Sequence, residues 1–101
     1  MNEPNTIYAD MDVIDRAGQK IGVISDVVSD AATFEPVWLV VDVGVLKTSH
    51  YMPVEAAHPN ADGQLVVPFD KEVVKTATKP NRDHVITPDE VAELRAHYNL
   101  S

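Results

Sequence analysis

The chain has 101 residues, a length that predicts one domain with a single hydrophobic core. Its formal net charge is −8, with 16 Asp and Glu against 8 Lys and Arg. Nucleic-acid binding requires clustered cations that neutralise phosphates, so this balance argues against nucleic acid and anionic membranes as partners. The sequence has no cysteine, which excludes disulfides and thiolate metal sites and suits the cytoplasm, where we expect the protein to act. No run of residues has the pattern of a signal peptide or a membrane helix, so we expect no membrane insertion.

The chain divides into three stretches. Residues 1–9 are polar apart from Ile7 and Tyr8 and predict a flexible N-terminal arm. Residues 10–78 contain short runs rich in Val and Ile that Gly, Pro and Asp interrupt, which is the pattern of a small β domain. Residues 79–101 begin as a polar linker and end in a predicted helix that docks on that domain.

Short apolar runs in the β domain predict strands at 10–16, 21–29, 36–44, 49–54 and 64–69. Gly22 would permit a bulge or a close approach of the backbone. Pro53 and Pro68 cannot donate to a strand ladder, so each marks a strand end or an edge. Residues 55–63 predict a loop that closes with the turn pair Asp62-Gly63.

The run at 36–44 is the most apolar and predicts the central strand. Side chains alternate along a strand, so one face carries four apolar residues that we expect to point into the core: Val37, Leu39, Val41 and Val43. We expect Val66 and one face of residues 21–28 to join them. The other face carries Trp38 and Val40 at one end and Asp42 at the other, so we expect it to be half covered.

Two helices are predicted after the strands. Asp70 can cap a short helix over residues 71–76. Thr87-Pro88-Asp89-Glu90 is a capping box that begins a second helix ending at about Tyr98. Val91, Leu94 and Tyr98 share one face of this helix, which must dock on the rest of the domain. Short strands followed by helices are typical of a mainly β fold, either a small barrel or a sandwich.

Few residues in the sequence suggest a catalytic or metal-binding role. His50 and His58, with Glu55 and Asp62 near them, could form a metal site, although their spacing matches no known pattern and hydrogen-bonded or surface histidines fit better. This group motivates an alternative function, a small ligand- or metal-binding regulatory domain. The acidic run at Asp10, Asp12 and Asp15 lacks the register and the closing Glu of a calcium loop, so we interpret it as a solvated acidic edge.

No catalytic motif is present in the sequence. The four glycines are too dispersed for a phosphate-binding loop, and there is no nucleophile elbow. Trp38 and Tyr51 could form a platform for stacking bases, but without cations beside them they fit core or interface packing better. We therefore expect no enzymatic activity and no cofactor.

Four motifs in order resemble the PRC-barrel family: Ile21–Val27, Pro36–Val41, Met52–Val54 and Asp62–Ala77. The tail, with Ile-Thr-Pro-Asp-Glu and then His97-Tyr98, resembles the extension of stand-alone bacterial members, so the likeness runs from about Asp10 to Leu100. The resemblance implies a small β-barrel of about six short strands, with a short helix after the last strand and a C-terminal α-helix.

The resemblance also implies a role in binding proteins and offers no catalytic residues. Family members include the cytoplasmic domain of a photosynthetic reaction-centre subunit and part of a ribosome-maturation factor that contacts a ribosomal protein. This sequence contains neither the membrane helix of the first nor the RNA-processing-factor domain of the second, so we expect neither role to transfer. We predict a non-enzymatic protein-interaction or assembly module whose partner is unknown.

Self-association is predicted from the outer face of the central strand. A large aromatic beside a Val needs cover there, because exposed apolar patches mark interfaces, and twofold dimers are the commonest oligomers. We therefore favour a homodimer or a higher oligomer over a monomer. The candidate interface residues are apolar positions on this face and on the terminal helix: Trp38, Val40, Tyr51, Val91, Leu94 and Tyr98.

Overall fold

The structure is a computed structural model that describes residues 8, 10–30, 32–45, 47–77, 79–80 and 86–100. Most of the predicted arm at 1–9 and of the predicted linker lies outside these residues. The described residues form six strands and two helices: β1 (Asp12–Ile14), β2 (Lys20–Ser29), β3 (Pro36–Val43), β4 (Thr48–Pro53), β5 (His58–Pro59), β6 (Leu65–Val66), α1 (Lys71–Lys75) and α2 (Pro88–His97). Neither helix is long and apolar enough to span a membrane.

The six strands form one sheet in the order β4-β3-β2-β1-β6-β5. All neighbours are antiparallel except β1 and β6, which are parallel. The predicted mainly β fold with a terminal helix is confirmed. The sheet of the described residues is not closed, because β4 and β5 remain as its two ends. Helix α1 packs against β4 and β2, and both helices contribute buried side chains to the core.

The predicted loop at 55–63 is wrong in one respect, because it contains β5. This strand has two exposed residues, His58 and Pro59, so no alternation of apolar residues signals it. The N–H of Asn60 donates to the carbonyl of Gln64 at 2.8 Å, which closes the turn to β6. The strand is therefore defined by its backbone pairing and not by burial.

Three prolines lie at strand ends or sheet edges, where strand pairing needs no backbone N–H: Pro53, Pro59 and Pro68. Strand β4 ends at Pro53 and lies at one end of the sheet, as its sequence predicts. The N–H of Val54 donates to Val37 of β3 at 3.0 Å, so the preceding backbone nitrogen, that of Pro53, faces away from β3 toward the open edge. Pro59 is in β5, at the other end of the sheet, and Pro68 follows β6. These positions remove donors from edges that could otherwise pair with another chain.

A bulge at Ser25 decides which side chains of β2 face the core. Ile24 pairs with Val41 and Asp26 with Val40, so Ser25 is an extra residue on β2. Without it, the strict alternation of a strand would place the Asp26 carboxylate on the same face as buried Ile24. Asp26 is instead exposed to solvent.

Gly22 allows the close approach that its sequence position predicts, and it also lies beside a bulge of the β1–β2 pair. Val13 pairs with Gly22 and Ile14 with Lys20, which leaves Ile21 as an extra residue on β2. A Cβ atom at Gly22 would lie 2.2 Å from the backbone oxygen of Asp42 on β3. Real Cβ atoms do not approach a backbone oxygen so closely, so only glycine fits here without displacing β3.

The core forms around β3. Leu39 and Val41 are fully buried and Val43 is 2% exposed, which confirms them as core residues. Val37 was predicted to join them and does not, since it is 39% exposed. The register moves from Val28–Trp38 to Ser29–Pro36, so Val37 is the extra residue of a second bulge and turns outward.

Two further core assignments need correction. Val66 is only half-buried, and its neighbour Leu65 on β6 is fully buried in its place. The face of β3 predicted to be half covered is also buried, because Trp38 is 3% and Val40 is 2% exposed. Both belong to the same packed cluster as Leu94 and Tyr98 of the C-terminal segment.

Truncation on the two sides of the β3 bulge should separate core from surface. Leu39→Ala should lower the free energy of unfolding by about 2–5 kcal/mol, because it leaves a cavity in a fully buried site. Val37→Ala on the same strand is the control and should lower it by less than about 1 kcal/mol. Urea unfolding followed by Trp38 fluorescence measures both. Equal losses for the two variants would show that the faces of β3 are assigned wrongly.

Candidate functional site

The C-terminal helix begins where the capping box predicts. Pro88 is its first residue, the N–H of Glu90 donates to the Thr87 hydroxyl, and the N–H of Thr87 donates to the Glu90 carboxylate, each at 3.2 Å. The helix ends at His97, one residue before the predicted end. The shorter helix α1 differs from its prediction, because Asp70 takes the N-cap position without a side-chain capping bond.

The predicted docking face of α2 is confirmed. Leu94 is fully buried, Tyr98 is 4% exposed, and Val91 is half-buried. The rings of Tyr98 and Phe69 pack with their centroids 4.7 Å apart. The Tyr98 hydroxyl donates a hydrogen bond to the backbone carbonyl of Tyr51 on β4. Because alternate carbonyls of β4 face away from β3, this bond satisfies an acceptor on the open edge of the sheet.

Polar contacts tie both sides of α2 to the domain. The Arg95 guanidinium lies 2.7 Å from the Glu55 carboxylate, in the loop after β4. The Nε2 atom of His97 lies 2.7 Å from the carbonyl of Val73 in α1, and since a carbonyl only accepts, Nε2 carries the proton. The helix is therefore attached to β4 and to α1 at once.

The predicted interface residues are occupied within the chain. Five of the six are at most 4% exposed, and Val91 is half-buried: Trp38, Val40, Tyr51, Leu94, Tyr98 and Val91. The uncovered aromatic face from which we predicted a dimer is thus covered by the chain itself. The oligomeric state stays a prediction, without this face as its basis.

Two of the described histidines, His50 and His58, have different surroundings. His50 is 3% exposed; its Nδ1–H donates to the carbonyl of Ala77 at 2.9 Å, and its Nε2 lies 3.0 Å from the Thr48 hydroxyl. Both ring nitrogens are therefore engaged inside the protein. His58 is exposed on β5. Among the described residues, no three side chains of His, Asp or Glu lie together as metal ligands would.

Sequence reasoning missed an exposed aromatic in the connection between β2 and β3. Phe34 is 75% exposed, and its φ of +61° is in the left-handed region. A bulky residue is uncommon there, because its Cβ approaches the carbonyl oxygen, at a cost of roughly 1–2 kcal/mol. The only sequence signal is a single aromatic in an otherwise polar stretch, which does not reveal the backbone conformation.

Hydrogen bonds hold this connection in shape. The N–H groups of Phe34 and Asp30 donate to the carbonyls of Asp30 and Glu35 respectively, each at 2.8 Å. The Asp30 carboxylate accepts from the N–H groups of Ala32 at 2.8 Å and Thr33 at 3.1 Å. The left-handed residue is therefore part of a closed turn that presents the Phe34 ring to solvent.

A groove of about 350 Å³ lies beside this turn, and we name it the hairpin groove. Val37 and Trp38 contribute apolar surface to it. Three carboxylates and one cation also line it: Asp30, Glu35, Glu55 and Arg95. It therefore combines apolar surface with an excess of negative charge.

A larger groove of about 530 Å³ lies toward the other end of β3. Lys20, Lys47 and Lys71 line it, together with Asp10 and Asp42. Its charges are of both signs, so it favours no one class of charged ligand.

Comparisons with known proteins agree with this fold. A family model described as PRC-barrel domain matches residues 8–92. A solved structure described as a 16S ribosomal RNA processing protein, RimM, from Pseudomonas aeruginosa has a TM-score of 0.51 and 20% sequence identity to this chain. The match covers 66% of this chain and 43% of that one, so this chain spans less than half of that protein's length. No curated protein shows a significant sequence match.

Removing the Tyr98 hydroxyl should weaken the attachment of α2. Tyr98→Phe should lower the free energy of unfolding by about 0.5–1.5 kcal/mol, the net value of one hydrogen bond. Burial raises the pKa of Tyr98 above its usual range. Because the pKa of Tyr98 is higher in the folded than in the unfolded protein, its protonated hydroxyl contributes its full stabilisation below the unfolded pKa, which is about 10. This stabilisation is lost as the pH rises from there through the folded pKa. Urea titrations from neutral to strongly alkaline pH should therefore show a smaller alkaline loss in the variant. An identical pH dependence would contradict the assignment.

Relieving the backbone at Phe34 should stabilise the protein. Phe34→Asn should raise the free energy of unfolding by about 0.5–1 kcal/mol, because Asn tolerates left-handed φ and removing an exposed ring costs the protein little packing. Phe34→Val, with a β-branched side chain, should lower it. Val45→Asn is the control at another exposed apolar residue and should stay within about 0.5 kcal/mol of the parent. Destabilisation by Phe34→Asn would show that the ring packs against the fold.

Proposed function

Because the chain belongs to the PRC-barrel family, we propose that it is a non-enzymatic protein-interaction or assembly module. The observation that carries the proposal is Phe34. A large aromatic that is 75% exposed, in an unfavourable backbone conformation, gains little packing against the described residues to offset the strain. Strain of this kind is concentrated at binding sites, where the partner provides the compensating contacts.

The described ionisable groups do not support the alternative of a metal-binding domain. His50 is engaged by Ala77 and Thr48, and the predicted cluster with Glu55, His58 and Asp62 does not assemble among the described residues. The cysteine-free composition is compatible with action in a reducing compartment such as the cytoplasm.

A protein partner fits the charge better than a nucleic acid does. The RimM structure, of which this chain spans 43%, is described as a 16S ribosomal RNA processing protein. With a net charge of −8, this chain would repel an RNA backbone unless a basic surface offset it. If a ribosomal particle is involved, we infer that the contact is with protein.

Quantitative affinity capture tests the proposal. The full chain, tagged and cross-linked in native cell extract, should retain at least one protein that an excess of untagged chain displaces. Light scattering coupled to size exclusion should be run on the same preparation, because a second copy would also count as a partner. No displaceable protein, together with a constant mass near 11.1 kDa at all concentrations, would contradict the proposal.

A further inference from the structure

The hairpin groove carries negative charge that the cations among the described residues neutralise only in part. Three carboxylates line it, and the one cation, Arg95, lies 2.7 Å from Glu55. Asp30 and Glu35 have no such ion pair among the described residues. The Asp30 carboxylate accepts two backbone N–H groups, which hold it in place without cancelling its charge. The groove is therefore negative where it meets the turn that bears Phe34.

Apolar surface lies beside this charge. Val37 is 39% exposed because a bulge turns it outward, and it lines the groove with Trp38. Phe34 lies between two groove residues, Thr33 and Glu35, and exposes most of its ring. A ligand on this surface would meet apolar side chains and carboxylates within one short stretch of chain.

We propose that the hairpin groove binds a cationic segment of a partner protein. Lys or Arg side chains of the segment pair with Asp30 and Glu35, and an apolar side chain packs against Phe34 and Val37. This assignment rests on the proposed function and names the surface and the chemistry of its partner. Complementary charge raises the association rate, and a preordered aromatic anchor supplies the affinity.

The charge argues against the other occupants. A second copy of this chain would bring its own net charge of −8 to an acidic groove. Nucleic acids and anionic lipids are repelled for the same reason.

Synthetic peptides provide the test, with the full chain labelled with 15N. One peptide alternates Lys with Leu, one places Trp between Arg residues, and a control replaces every cation by Glu. At low salt, the cationic peptides should shift the amide signals of the non-proline residues within 30–38 and 53–55, and the acidic control should shift none. Binding should weaken as salt is added, because the charges are exposed.

Variants separate specific docking from general attraction to an acidic protein. Glu35→Lys should weaken peptide binding about tenfold and Phe34→Asn about fivefold, the range of a charged and an aromatic anchor. Asp62→Lys, in the turn between β5 and β6, makes the same change in net charge away from the groove. Val45→Ser removes another exposed apolar side chain. Both controls should leave affinity within about twofold of the parent.

Several outcomes would overturn the assignment. These are signal shifts spread over the whole surface, equal weakening by Glu35→Lys and Asp62→Lys, or no shift at residues 30–38 with either cationic peptide. A dimer that Phe34→Asn dissociates in light scattering would assign the groove to a second copy. The parent, Glu35→Lys and Phe34→Asn could also capture the same partner from extract equally well. That result would overturn the assignment of the groove while leaving the proposed function intact.

Discussion

Strand β3 is apolar on both faces, and the need to cover both decides the architecture. Leu39 and Val41 fill one face, and Trp38 and Val40 the other, and all four are buried. Each such side chain contributes about 1.5–3 kcal/mol when removed from water, so leaving either face exposed would cost about 3–6 kcal/mol, a large share of the stability of a domain this small. Both faces are covered because both helices and every strand except β5 contribute side chains to one core cluster with β3.

One residue of the C-terminal segment, Tyr98, makes both an aromatic contact in the core and a hydrogen bond to the open edge of the sheet. Tyr98 packs its ring against Phe69, and its hydroxyl donates to the Tyr51 carbonyl on the open edge of β4. Pro53 removes a donor from the same edge. An open edge and an exposed aromatic face are the usual routes by which a β protein associates with copies of itself. Here the tail occupies one acceptor on the open edge, and the aromatic face that carries Trp38 and Val40 is buried within the chain.

Sequence patterns predicted the features that local chemistry determines. Each of these features depends on residues only a few positions apart: the Val-rich run of β3, the capping box at Thr87 and the proline at the end of β4. The bulges at Ser25 and Val37 could not be predicted in the same way, since a bulge exists only relative to the register of the partner strand. That is why Val37 was assigned to the core. Phe34 was missed because no short-range rule places a phenylalanine in a left-handed turn.

Phe34 and Val45 are exposed at opposite ends of β3, and the residues around them differ. Val45 is 99% exposed beside a groove whose charges are of both signs. Phe34 is in a turn closed by backbone hydrogen bonds, beside carboxylates that no described cation pairs with except at Glu55. A turn whose backbone is already held in place loses little backbone conformational entropy when it binds, so its contact area converts more fully into affinity. The backbone strain at Phe34 is thus the cost of presenting an aromatic side chain from a closed turn. That cost is consistent with a turn that is ordered before its partner arrives.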